Sequence, residues 1–193
     1  PWEVLRRKHF SEAMANRIIS QMTAALAHMH DHKLIHCDLK PENVLCTRDP
    51  TGGDDWDIKI TDFGLSKPVI EDDDHSDLTF CGSPLYMAPE LVKHEKYTEK
   101  VDVWSLGVIV YQLLCGMTPF DGQSLKKIQD KICFFPLENL FDDMCWQPIT
   151  DDAKDFILQC LVRDQEERPT IEDLFSHPWV SRLPENQQDM TVQ

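Results

Sequence analysis

The feature that most restricts this chain is residues 101–114, Val-Asp-Val-Trp-Ser-Leu-Gly-Val-Ile-Val-Tyr-Gln-Leu-Leu, which are apolar on nearly every side of a helix. A helix with one apolar stripe lies at a surface, whereas one apolar all round has to be enclosed by other elements. The segment contains Asp102 and Gln112 and is too short to span a bilayer, which takes about 20 apolar residues. It is therefore expected at the centre of a domain. With 193 residues and 41% hydrophobic content the chain can enclose one substantial core, and one domain is expected.

Other segments fall into place around that helix. In residues 11–30 the apolar positions Ala15, Ile18, Ile19, Met22, Leu26 and Met29 follow a helical period, with Ser11 as N-cap. Leu34-Ile35, Val44-Leu45-Cys46 and Ile58-Lys59-Ile60 are short and strand-like. Between the last two, residues 47–57 contain Pro50 and Gly52-Gly53 and read as a loop. Residues 65–90 show little periodicity, and their acidic run Glu71-Asp72-Asp73-Asp74 reads as a solvated loop. Helical patterns return at about 124–131, 150–161 and 170–175, and His177-Pro178-Trp179 closes the last. There is no internal repeat. The fold class expected is mainly α, with a few short β-strands near residue 50.

The charge is −15, from 34 acidic and 19 basic residues. That balance argues against sequence-independent binding to nucleic acid or to an anionic membrane. It fits either a well-solvated acidic surface or a bias toward basic protein substrates. The seven cysteines form no CxxC pair and no alternating Cys/His pattern. Most sit beside apolar residues, as small core side chains in a reducing compartment would. The first eight residues have no apolar run followed by a cleavage site. A cytoplasmic or nuclear protein is expected.

Three polar islands carry the chemistry: His36-Cys37-Asp38-Leu39-Lys40-Pro41-Glu42-Asn43, then Asp62-Phe63-Gly64, then Ala88-Pro89-Glu90. Phosphoryl transfer requires a positioned nucleophile and neutralisation of developing charge. A carboxylate must accept the hydroxyl proton, a cation must meet the γ-phosphate, and oxygen ligands must hold Mg²⁺. Asp38, Lys40, Asn43 and Asp62 supply those types. Any one of them alone is an ordinary surface or turn residue; the four together with the tripeptide are not. In order and spacing the islands resemble the C-terminal lobe of a eukaryotic protein kinase, along the whole chain.

That resemblance implies a protein-kinase-like large lobe over residues 1–180, with a catalytic loop at 36–43, an activation segment at 62–90 and a polar tail at 181–193. It implies ATP and Mg²⁺ as cofactors. Asp38 would be the catalytic base and Lys40 the γ-phosphate contact of a serine/threonine enzyme; Asn43 and Asp62 would ligate the metal. Lys40, Glu42, Asn43, Leu45 and Asp62 make up the cofactor side, with Leu45 beneath the adenine ring. Glu42, Ser83, Leu85 and Met87 make up the substrate side. Ser83 would offer its hydroxyl to the catalytic Asp and Lys, Leu85 and Met87 would favour an apolar residue after the target, and Glu42 would contact an upstream arginine. Structural roles fall to His36 and Phe63 in a hydrophobic stack, Asp102 holding the catalytic-loop backbone, and Glu90 paired with Arg168. Within the superfamily, Lys-Pro-Glu-Asn-Val-Leu, Lys-Ile-Thr-Asp-Phe-Gly-Leu-Ser-Lys, Cys-Gly-Ser-Pro-Leu-Tyr-Met-Ala-Pro-Glu and the closing His-Pro-Trp-Val resemble the calcium/calmodulin-dependent kinase group.

The chain departs from the family pattern twice. Cys37 stands where most kinases carry an Arg that binds the phosphate of the activated loop. Lys67 resembles a second phosphate ligand, and Ser76 and Thr79 are the candidate phosphorylation sites. Activity is expected to depend on loop phosphorylation less than is usual. The glycine-rich loop, the strand-borne Lys and its Glu partner are also absent, so the small β-rich N-terminal lobe is missing from this chain. A fragment of a longer kinase is the expectation, with a pseudokinase or interaction scaffold as the alternative.

Overall fold

The computed structural model describes residues 9–48, 56–68 and 83–181. Its first helix, α1 (Glu12–Asp31), begins where the Ser11 hydroxyl accepts the Met14 N–H at 3.3 Å. This satisfies one of the donors that a first turn leaves open. Ala15, Ile18, Ile19, Met22, Leu26 and Met29 lie on its buried face. Side-chain caps also start α4 (Leu125–Phe134) at Ser124, α5 (Asp151–Cys160) at Thr150 and α6 (Ile171–Phe175) at Thr170. At α6 the cap is reciprocal, because Asp173 accepts from the Thr170 backbone while Thr170 accepts from that of Asp173.

The apolar segment is α3 (Lys100–Cys115), and it runs through the centre of the core. Every residue from 101 to 111 is buried, as are Leu113 and Leu114. Helix α5 crosses it at Gly107, where an added Cβ would lie 2.4 Å from the Cys160 Cβ. Gly116, at φ 81°, ends the helix in the left-handed conformation that suits glycine. Trp104 stacks on Phe120 with ring centroids 5.5 Å apart, and both are fully buried. Short helices α2 (Pro89–Val92) and α7 (Pro178–Ser181) complete the helical set.

Two small antiparallel sheets position the loops. Strand β2 (Val44–Arg48) pairs with β3 (Trp56–Ile60), Val44 opposite Ile60 and Arg48 opposite Trp56. The Gln21 side chain of α1 grips the β3 backbone, donating to the Trp56 carbonyl and accepting the Ile58 N–H at 2.7 and 3.0 Å. Strand β1 (Leu34–Ile35) pairs with β4 (Lys67–Pro68). The aperiodic stretch 65–90 thus contains β4, a helical turn Pro84–Tyr86 and the start of α2. The mainly α reading with few short strands agrees with this architecture. Among the described residues no helix is long and apolar enough to cross a membrane. The acidic run 71–74, Ser76, Thr79 and the tail 182–193 lie outside the described residues.

Candidate active site

The site is built from the buried end of α3. Asp102, in its first turn, points its carboxylate at the backbone that follows β1. Oδ2 accepts the His36 N–H at 2.8 Å and Oδ1 accepts the Cys37 N–H at 3.0 Å. A third donor, His30 Nε2 from α1, reaches Oδ2 at 3.0 Å. A buried carboxylate needs such donors. The arrangement also supports Cys37 in a left-handed backbone conformation, φ 66°, which a non-glycine residue adopts at a cost of roughly 1 kcal/mol.

Asp38 is 7% exposed and its carboxylate is fully engaged. Oδ2 takes Lys40 Nζ at 2.6 Å and Asn43 Nδ2 at 3.3 Å, and Oδ1 takes the Ser83 N–H at 3.2 Å. The Ser83 contact with Asp38 runs through the backbone N–H. A backbone donor is fixed by the chain path, whereas a hydroxyl would have to be ordered as well. His36 Nδ1 accepts the Asp38 N–H at 3.3 Å, so its proton sits on Nε2, which donates to the Thr61 carbonyl at 3.1 Å.

The hairpin register explains how Asn43 and Asp62 approach each other across nineteen residues of sequence. Asn43 immediately precedes β2, and its carbonyl accepts both the N–H and the hydroxyl of Thr61, at 2.8 and 3.1 Å. Asp62 is the next residue. Asn43 Nδ2 is committed to the Asp38 carbonyl, 2.8 Å, and carboxylate. Its side-chain oxygen is therefore the atom left to meet a cation. Asp62 is exposed, in a left-handed conformation (φ 65°), and accepts the Gly64 N–H at 3.4 Å. One amide oxygen and one carboxylate fit Mg²⁺, a hard ion that keeps water and phosphate oxygens in the rest of its shell. Among the described residues no three His, Cys, Asp or Glu side chains gather to hold a metal alone.

The remaining residues sort by face. His36 and Phe63 rings meet at 5.5 Å, His36 buried and Phe63 51% exposed. Leu45 is half-buried on β2, opposite Lys59. Glu42 is exposed, and after burial its charge is the next cause pushing the Tyr86 phenol up. Leu85 is half-buried, whereas Met87 is 3% exposed and lines a small cavity beneath Cys37 and Asp38. Leu85 is thus the more accessible of the two apolar side chains. The turn is tied to α3 twice, by Ser105 Oγ donating to the Tyr86 carbonyl at 2.8 Å and by the Tyr86 hydroxyl donating to Gln112 at 2.7 Å.

Glu90 and Arg168 form a buried bidentate pair at 2.7 and 3.0 Å. Sequence reasoning missed His30, the third donor to Asp102, and Thr61, which bridges Asn43 to Asp62. His30 lies on the buried face of α1 like any core residue, and only its position opposite Asp102 sets it apart.

Residues 2–180 match the family model described as a protein kinase domain. Among curated proteins, the chain is 41% identical over 181 residues to a probable myosin light chain kinase of Dictyostelium discoideum, covering 93% of this chain and 44% of that protein. It is 41% identical over 178 residues to the calcium/calmodulin-dependent protein kinase type 1 of Caenorhabditis elegans, covering 92% and 49%. With the calcium/calmodulin-dependent protein kinase type I of Schizosaccharomyces pombe it shares 40% identity over 173 residues, covering 89% and 50%. The chain spans about half the length of these relatives.

Proposed function

We infer that this chain, which belongs to the protein kinase domain family, is the large C-terminal lobe of a serine/threonine kinase that transfers the γ-phosphate of ATP to a protein hydroxyl. The observation that carries this reading is the Asp38 carboxylate, held between Lys40 and Asn43 on one oxygen and the Ser83 N–H on the other. That frame holds a carboxylate, the proton acceptor of this reading, beside the start of the Pro84–Tyr86 turn. Residues 1–180 form the lobe and 181–193 its polar tail.

In this reading the substrate hydroxyl gives its proton to Asp38 as its oxygen bonds the γ-phosphorus. The bond to the ADP oxygen breaks, and ADP keeps the electron pair. Lys40 turns from Asp38 toward the phosphoryl oxygens. Asn43 and Asp62 would hold Mg²⁺, which would supply neutralisation of phosphate charge. Leu34, Phe63 and Leu65, each 40% exposed or more, supply apolar surface for a small lobe to cover. The acidic chain and exposed Glu42 favour basic protein substrates, and Leu85 favours an apolar residue after the target. Two relatives carry calmodulin in their names, and calmodulin is a candidate regulator of the whole protein.

The test is phosphorylation of a peptide array by the full-length protein with Mg²⁺-ATP. Asp38→Asn should lower kcat by about 10²–10⁴-fold with its melting temperature retained, and Asp62→Asn should raise the Mg²⁺ requirement. Undiminished transfer by Asp38→Asn defeats the reading. Cys37 in place of the usual Arg supports activity with an unmodified loop. Ser76→Ala/Thr79→Ala should stay active; complete loss of transfer would reject that part.

A further inference from the structure

Two thiols that phosphoryl transfer leaves unused meet at the opposite end of the central helix from Asp102. Cys115 is the last residue of α3, and Cys145 sits in the helical turn Met144–Trp146. Both are half-buried free cysteines, and their sulfurs lie 2.9 Å apart. A disulfide bond is about 2.05 Å long, so closure requires a movement of under about 1 Å.

The approach is enforced by contacts that do not involve sulfur. Tyr111, one turn before Cys115 on the same helix face, packs its ring on that of Trp146 at 4.7 Å and donates its hydroxyl to the Leu140 carbonyl at 3.0 Å. Phe141 packs edge-on against Trp146, also at 4.7 Å. Tyr111 and Trp146 are buried. Aromatic packing thus holds Cys145 against the helix end whether or not the sulfurs bond. Burial, and then the neighbouring Cys145 sulfur, pushes the Cys115 thiol up to about 12, so Cys115 rests as a thiol.

We propose that Cys115 and Cys145 form a reversible redox-modification site, oxidised to an intramolecular disulfide by a small peroxide. Half-burial favours so small an oxidant. One sulfur attacks the peroxide, whose O–O bond breaks, giving a sulfenic acid and one water. The second sulfur then displaces the hydroxyl as a second water. Two thiol hydrogens leave, the sulfur pair loses two electrons, and hydrogen peroxide is reduced to two waters. A reducing compartment returns the pair to thiols. The bond would join residues 30 apart in sequence. The enclosed stretch contains all of α4, which packs against α2 and the Pro84–Tyr86 turn.

The test uses the full-length protein, treated with graded hydrogen peroxide, alkylated, and mapped by mass spectrometry without reduction. The expected product is one cross-linked peptide pair joining Cys115 and Cys145, lighter by two hydrogens and released by dithiothreitol. Cys115→Ala and Cys145→Ala should each abolish it and leave the other thiol open to alkylation. Oxidation should raise the melting temperature of the wild type by on the order of 10 °C, and that of neither variant. The proposal is overturned if both thiols remain alkylated, or go separately to sulfinic acid, at doses that oxidise Cys133. It is equally overturned if the cross-link survives in either variant.

Discussion

Arg168 holds Glu90 through two N–H···O bonds of 2.7 and 3.0 Å, with neither side chain open to water. The guanidinium also donates to the carbonyls of Val162 and Lys100, and its carbon lies 5.2 Å from the Trp104 ring centroid. One cation therefore joins α2, the start of α3 and the loop before α6. Arg168→Ala strands the Glu90 carboxylate in the core and should cost about 3–5 kcal/mol in denaturant unfolding. The double variant Glu90→Gln/Arg168→Met should cost less than the sum of the single ones. Strict additivity would show that the pair is not coupled.

Asp102 should matter more to turnover than its distance from any substrate implies. It orients the catalytic loop through the His36 and Cys37 N–H groups, and Cys37 needs that support for its positive φ. Asp102→Asn presents an amide N–H to donors that now meet an acceptor. Stability should fall by about 2–3 kcal/mol. The displaced Asp38 should lower kcat roughly 10²-fold in the full-length protein, with KM little changed. A variant that loses stability but keeps kcat would make Asp102 a core residue only.

Gly107 is where α3 and α5 touch. An added methyl would sit 2.4 Å from the Cys160 Cβ, with Leu161 Cδ2 at 3.2 Å. Gly107→Ala should destabilise by about 1–3 kcal/mol or more. Pairing it with Cys160→Gly, which removes the clashing atom, should recover part of that loss. No recovery would place the strain elsewhere.

Asp173 carries a small pH signal. The Thr170 backbone N–H, and then its hydroxyl, hold the Asp173 carboxyl below the usual aspartate range. A depressed folded value means that its stabilisation is complete above the unfolded value, about pH 4, and disappears as pH falls through the folded one. The wild type's advantage over Asp173→Ala in chemical denaturation should therefore be flat from neutral pH to about pH 5 and shrink in stronger acid. Because the group is exposed the effect is modest. An advantage independent of pH would remove the charge from the cap.

Local rules recovered the elements whose causes are local. Ser11 as cap, the buried face of α1, the enclosed α3 and the helices near 124, 150 and 170 follow from residue type and a 3.6-residue period. Leu34-Ile35 was legible as a strand-like pair, whereas β4, two residues long and too short for a period, exists because the chain after Phe63 returns beside Ile35. Asp38, Lys40 and Asn43 lie within six residues and could be read together. Ser83 could be named, yet the atom it offers to Asp38 follows from the chain path. Met87 is chemically as plausible a surface contact as Leu85, and only the tertiary fold buries it, at 3% exposure.

The sequence by itself determined the chemical inventory: the carboxylates of Asp38 and Asp62, the Lys40 cation, the Asn43 amide, and an apolar helix that must lie at the centre. Those depend on side-chain chemistry and periodicity, which are properties of neighbours along the chain. The tertiary structure decided which atoms meet. Register across β2 and β3 brings Thr61 to Asn43, helix packing brings His30 to Asp102, and an aromatic cluster brings Cys145 to Cys115. Each joins residues 18 to 72 positions apart. Closing such distances takes the summed burial of a core rather than the preference of any one residue.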